Sequence, residues 1–88
     1  MQFIFPELTG YTIYTKTGCK WCVQAKRFFT EANTINCDRL LLQDRDEFLV
    51  QMDKLTGGHR TFPMIFHNNR FIGGYHESIK RVMTDIVF

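Results

Sequence analysis

Cys19 and Cys22, in the run Cys19-Lys20-Trp21-Cys22, are the residues of this chain best suited to chemistry. Two thiols at that spacing close a small disulfide ring on oxidation and reopen it on reduction, so the pair points to redox exchange. What surrounds them sharpens the expectation. Tyr11-Thr12-Ile13-Tyr14 is rich in strand formers, Lys16-Thr17-Gly18 reads as a turn, and a helical pattern follows over about 20–31. Cys19 therefore falls where a strand hands over to a helix start. Unpaired N–H groups and the positive end of the helix dipole favour a thiolate there. Lys20 beside it, and Lys16 if its chain folds back across the turn, act in the same direction. The thiolate is the attacking species, and Cys22, one turn on along the same face, is the more shielded resolving thiol. The rival for such a pair is half a zinc site. The other candidate ligands are His59, His67 and His76, and no two of them stand roughly three to five apart as finger histidines do, so no metal is expected.

Composition narrows the class. Eighty-eight residues suit one domain, 1–88, with no room for a second core. The chain is 44% hydrophobic and 15% aromatic, which is enough for a packed centre and too apolar for disorder. A net charge of +2 with scattered basic residues gives no nucleic-acid footprint. No apolar run reaches the length of a membrane span, so no membrane partner is expected. Met1-Gln2-Phe3-Ile4-Phe5-Pro6-Glu7 has neither a basic leader nor a small-residue cleavage site, and so does not read as a secretory signal. Three cysteines make no disulfide framework; a reducing, cytoplasmic setting with a catalytic thiol pair is expected.

The elements that must position the thiols follow from periodicity. Residues 1–9 read as a lead-in. Strands are expected at 11–15, at 36–42 with Leu40-Leu41-Leu42, at 64–67 and at 70–72, with Asn68-Asn69 as a tight turn. Helices are expected at 20–31, with Val23, Ala25, Phe28 and Phe29 as its apolar face, and from an Asp44 N-cap with Glu47 as its capping-box partner to Thr56. Gly57-Gly58 ends that second helix, along which Phe48, Leu49, Met52 and Leu55 recur at helical spacing. The third helix spans 77–87, with Ile79, Val82, Met83 and Ile86 inward. Phe28, Phe29, Phe48, Phe66 and Phe71 read as packing, and Cys37 as a small buried hydrophobe. The order βαβαββα gives an α/β fold: a four-stranded mixed sheet with helices on both faces.

Over about residues 11–87 the chain resembles a glutaredoxin of the thioredoxin-like fold. The resemblance is carried by Tyr14-Thr15-Lys16-Thr17-Gly18-Cys19-Lys20-Trp21-Cys22, by Thr61-Phe62-Pro63 and by Gly73-Gly74-Tyr75. Against the family pattern, Lys20 replaces a proline, Trp21 a tyrosine and Phe62 a valine. The run Tyr75-His76-Glu77 stands where a small or polar residue and then an aspartate are usual. The resemblance implies a dithiol oxidoreductase that uses glutathione as reductant and co-substrate. It would act, as a monomer, on disulfide-containing or glutathionylated proteins.

The resemblance also implies a cis Phe62–Pro63 bond, with the Phe62 backbone pairing with an extended peptide or with the cysteinyl part of glutathione. Without it, Pro63 is explained as a first strand residue that needs no N–H. Gly74 and the N–H groups of Tyr75 and His76 would hold a carboxylate, though Gly73-Gly74 also suits a plain strand-to-helix turn. Trp21 would form a flat wall beside the ligand, or pack on its own helix. Arg60, next to Thr61, would pair with the glycyl carboxylate, or stand in solvent. Three rival functions stay open at this point. They are a glutaredoxin-like thioredoxin recharged by thioredoxin reductase, a dimeric [2Fe-2S] carrier ligated through Cys19 and glutathione, and a non-catalytic module such as the first domain of a glutathione transferase.

Overall fold

A computed structural model describes the backbone of residues 2–87 and the side chains through residue 84. Ile86, expected on the inner face of the third helix, has its side chain outside the described residues. The elements run β1 Tyr11–Thr15, α1 Lys20–Phe28, β2 Asn33–Asn36, α2 Asp38–Thr56, β3 Met64–His67, β4 Arg70–Gly73 and α3 Tyr75–Val87. The sheet order is β2-β1-β3-β4, with β1 parallel to β2 and antiparallel to β3, and β3 antiparallel to β4. This is the expected four-stranded mixed sheet of the thioredoxin-like fold. No described helix is long and apolar enough to cross a membrane.

β1 is central and buried on both faces, so successive residues serve different cores. Ile13 packs with Ala25, Phe29 and Ile65 under α1 and α3. Tyr14 faces the other way and packs with Ile35, Cys37, Leu40, Phe48, Met52, Met64 and Phe66 under α2. Burying the Tyr14 ring leaves a hydroxyl that needs a partner. It donates to the Ile4 carbonyl at 2.7 Å, which ties down the lead-in and seats Phe3 against Tyr14 and Phe48.

The second strand and helix depart from the expected boundaries. β2 occupies 33–36 rather than 36–42, and the three leucines belong to α2. β1 turns away after Thr15, so β2 has no neighbour to pair with beyond the bond from Cys37 N–H to the Thr15 carbonyl at 2.8 Å. The Leu41 N–H then reaches the Cys37 carbonyl, and a helix begins. Leu40 is buried, Leu41 half-buried and Leu42 87% exposed, a spread around a helix and not an alternation across a strand. Asp44 does act as a cap, accepting from Glu47 N–H at 3.0 Å, but at a non-helical break inside α2. The reciprocal half of the capping box is missing, because the Glu47 carboxylate accepts from Gln51 instead.

The helix faces also shift. α1 ends at Phe28, not 31, and buries Cys22 and Ala25, with Phe29 at its C-cap. Val23 and Phe28, expected inside, lie one residue off that stripe and are exposed. α3 starts at Tyr75, two residues early, and Met83 is exposed while Ile79 and Val82 pack inward. Asn68 and Asn69 both take positive φ, as a two-residue hairpin turn requires.

Candidate active site

Cys19 is the N-cap of α1, in extended conformation, and its Sγ accepts the Cys22 N–H at 3.1 Å. One of the orphan donors of the helix start is thus aimed at the sulfur. The two cysteines form a disulfide with Cα atoms 5.2 Å apart. Cys19 is half-buried and Cys22 is 2% exposed, so an incoming group meets Cys19 first. Of the two flanking lysines, Lys20 places its ammonium 4.9 Å over the Trp21 ring. Lys16 lies 5.7 Å over the Phe62 ring.

Thr61, Phe62 and Pro63 share a hollow with Trp21, and the Phe62–Pro63 bond is cis as expected. Two hollows share the Thr61–Phe62 ledge. The first, about 180 Å³, is lined by Trp21, Pro63 and residues 74–77. The second, about 250 Å³, is lined by Lys16, Arg60 and three residues of α2: Leu41, Arg45 and Leu49. A larger hollow of about 590 Å³ lies between residues 2–4 and the start of α2, away from the thiols.

The first hollow is built by the turn into α3. Gly73 has a φ of 131°, and a Cβ there would come within 2.7 Å of the Glu77 Cβ, so only glycine fits. The Gly74 N–H donates to Glu77 Oε1 at 3.0 Å, a side chain reaching back to cap its own helix. The N–H groups of Tyr75 and His76 belong to the first turn, where the helix offers no acceptors. Trp21 stacks on Tyr75 at 5.1 Å and meets His76 edge-on at 4.7 Å. It stands 40% exposed as a wall of the hollow, not as packing on α1 alone. The second hollow offers side-chain cations. Arg60 lines it while its Nη2 pairs with Asp53 at 2.6 Å, so its guanidinium is already partly engaged.

Every residue expected at the site thus lines the disulfide or one of these two hollows. Four others were not expected. Arg45 stands with Leu41 and Leu49 at spacing four along α2, a stripe hidden by reading residues 36–42 as strand. His59 Nε2 sits 3.1 Å from the Thr61 hydroxyl and beside Gly74. Glu77 caps Gly74. Asp38 accepts from both the N–H and the hydroxyl of Thr17, across from the dithiol turn. Among the described residues no three His, Cys, Asp or Glu side chains converge as a metal would need.

Comparison with known proteins agrees with the geometry. The family model described as Glutaredoxin matches residues 11–72. The mitochondrial glutaredoxin-2 of Pongo abelii is 41% identical over 66 residues, covering 70% of this chain and 39% of that protein. The chain thus spans about two fifths of that relative's length. A glutaredoxin of Neisseria meningitidis is 31% identical over 66 residues, covering 75% of this chain and 76% of its own. Among solved structures, glutaredoxin 1 from Francisella tularensis in complex with cacodylate superposes with a TM-score of 0.73 at 27% identity, covering 90% of this chain and 98% of that one. A buckwheat glutaredoxin–glutathione complex gives 0.67 at 25% identity, covering 85% and 69%.

Proposed function

From its membership of the glutaredoxin family, to which this chain belongs, and from the cleft that flanks its disulfide, we propose that the protein is a glutathione-dependent thiol-disulfide oxidoreductase. The observation that carries this reading is the two-armed shape of the cleft. Glutathione presents a central thiol between two ends that each bear a carboxylate. The two hollows meet at Thr61–Phe62: one is bounded by the α3 start and by Trp21 from the Cys19–Cys22 run, the other by side-chain cations that include Lys16 from the turn before Cys19. The γ-glutamyl end would lie against Gly74 and the N–H groups of Tyr75 and His76, beside Trp21. The glycyl end would lie towards Lys16 and Arg60. The backbones of Thr61 and Phe62, ahead of Pro63, would pair with the cysteinyl unit.

In the proposed reaction the Cys19 thiolate attacks the glutathione sulfur of a mixed disulfide. A bond forms between Cys19 and glutathione, and the protein thiol leaves. A second glutathione thiolate then attacks the glutathione sulfur, releasing oxidised glutathione and restoring Cys19. On a protein disulfide, Cys19 forms the mixed disulfide, and Cys22 attacks it. That step closes the Cys19–Cys22 bond and frees the second substrate thiol, and two glutathiones reopen the ring. We place this chemistry in a reducing, cytoplasmic compartment, with the monomer as the working unit.

One observation favours a second reading, a glutaredoxin-like thioredoxin. The Glu77 carboxylate already sits at the α3 start, where it would repel the γ-glutamyl carboxylate. Turnover of a glutathionylated peptide with glutathione and glutathione reductase, measured beside insulin reduction with thioredoxin reductase, separates the two. Activity with thioredoxin reductase alone overturns the glutathione reading.

A further inference from the structure

The turn that carries Lys16 and leads into Cys19 is held from outside its own helix. The Thr17 N–H donates to Asp38 Oδ1 at 3.0 Å, and the Thr17 hydroxyl donates to Asp38 Oδ2. Both oxygens of one carboxylate are spent on one turn residue. Asp38 is itself fixed: it is the first residue of α2, and its N–H donates to Asn36 Oδ1 at 2.9 Å. One residue earlier, the Cys37 N–H makes the bond to Thr15 that prolongs the β1–β2 pairing. Residues 16–18 are exposed, and among the described residues no other side-chain hydrogen bond reaches them. Gly18 follows with a φ of 80°, a conformation that glycine takes without steric cost, directly before Cys19.

We propose that Asp38 is a positioning residue for the thiol exchange, a carboxylate clamp on Thr17 that sets the turn presenting Lys16 to the cleft and delivering Cys19 to the start of α1. The inference rests on the reading of Cys19 as the attacking thiol and Lys16 as a ligand contact. The Asp38 carboxylate accepts from Thr17 and lines neither hollow, so it acts through the turn. The Thr17 hydroxyl and N–H, with Asn36 and Lys16 adding to them, hold its carboxyl below the usual carboxylate range, so the clamp is charged at neutral pH. A purely structural role exists beside this one, since an acidic first residue favours any helix start. That role affects stability and leaves substrate affinity alone.

The test compares Asp38→Ala, Asp38→Asn and Thr17→Val in the whole chain. Asparagine removes the charge, as alanine does, but keeps an oxygen for the Thr17 N–H, so the difference between the two isolates the clamp. With a glutathionylated peptide, Asp38→Ala, which removes both bonds to Thr17, should raise KM roughly five-fold, with kcat little changed. Asp38→Asn should stay near wild type and Thr17→Val fall between. Equal KM in the alanine and asparagine variants overturns the clamp in favour of charge. An unchanged KM in Asp38→Ala with a lowered Tm overturns it in favour of helix-start stability. If the wild type does not turn over the peptide, the glutathione reading fails. The clamp is then decided by iodoacetamide alkylation of Cys19 in a Cys22→Ser background. Slower alkylation in the alanine than in the asparagine variant supports it, and equal rates overturn it.

Discussion

Two cysteines of this chain occupy the same formal position, the N-cap of a helix, and differ in almost everything else. Cys19 caps α1 with a ψ of 105°, and its sulfur receives the Cys22 N–H. Cys37 caps α2 with a ψ of 5°, and its side chain makes no cap bond. Its thiol turns back towards the Ile35 carbonyl, 3.6 Å away, among Tyr14, Leu40 and Phe48. Burial pushes the Cys37 thiol up to about 12, against the lowering effect of the Thr15 backbone hydrogen bond and with a smaller raising effect from the neighbouring Asp38. Cys19 is half-buried and is followed by Lys20. A helix start therefore does not make a reactive cysteine by itself. The donors must point at the sulfur, water must reach it, and the neighbouring charge must be positive.

The largest effect that tests this contrast is loss of turnover. Cys19→Ser should abolish reduction of both glutathionylated peptide and protein disulfides, whereas Cys37→Ala should keep near wild-type rates. Cys22→Ser should retain exchange with the glutathionylated peptide and lose most reduction of protein disulfides. Equal loss in Cys19→Ser and Cys37→Ala, measured at a temperature where both are folded, would remove the distinction altogether.

Next in size is the alkaline limb of stability. Burial raises the Cys37 thiol from an ordinary value near 9 to about 12. Above pH 9 the unfolded chain therefore loses a proton that the folded chain keeps, and stability falls as pH rises. The slope for this one group is at most about 1.4 kcal/mol per pH unit, and it ends near pH 12. Below pH 9 both states are protonated and the contribution is flat. Tyr14, whose hydroxyl is also raised, chiefly by burial, adds its own loss at higher pH. Urea titrations of wild type and Cys37→Ala between pH 8 and 11 isolate the cysteine. Parallel curves would mean that the Cys37 thiol is not held neutral by the fold.

The same pair of cysteines shows how far the sequence could be read. Cys19, Cys22 and Gly74 were legible because each announces its backbone, a strand-to-helix step or a glycine before a helix. At Pro63 the missing N–H suggested only a first strand residue; β3 begins one residue later, and the cis bond was implied by the family resemblance alone. Cys37 was legible as buried, but not as a helix cap. The run Ile35 to Leu42 is apolar enough for a strand, and only the end of β1 at Thr15 stops it being one. That error hid the Leu41–Arg45–Leu49 stripe and the reach of Asp38 to Thr17. Both depend on which strand ends lie side by side, which is a tertiary fact. Counting apolar residues puts Val23 and Phe28 inside; α1 instead takes its phase from Cys22, Ala25 and Phe29.

A third test measures the Cys19 thiolate directly. Helix-start thiols with basic neighbours ionise at roughly 3.5–7.5, below the range of an ordinary thiol. Thiolate absorbance of reduced Cys22→Ser, followed against pH, should show one titration in that lower range, with Cys37 silent until far more alkaline. A midpoint at or above about 8 would place Cys19 with ordinary thiols, and the contrast with Cys37 would reduce to exposure alone.

The smallest effect concerns how much of that ionisation comes from the lysines rather than the helix. Lys16 is exposed and lies over Phe62 on the cleft side of the turn; Lys20 is folded over Trp21. Exposed charge pairs are worth about 0.2–1 kcal/mol, so removing one cation should raise the Cys19 midpoint by roughly 0.1–0.7 of a unit. The sign follows from the charge: the thiolate loses a favourable neighbour and the neutral thiol loses nothing. Lys16→Gln should show a larger shift than Lys20→Gln, because Lys16 lines the hollow beside Thr61 and Phe62 while Lys20 is folded over Trp21. Salt gives the decisive control. At 1 M the screening length is only about 3 Å, so a shift that arises from charge should shrink towards zero there, while the part due to the Cys22 N–H should remain. A Lys16→Gln shift that persists undiminished in 1 M salt would mean that the substitution moves the turn, and Lys16 would then act on Cys19 through the backbone that Asp38 holds.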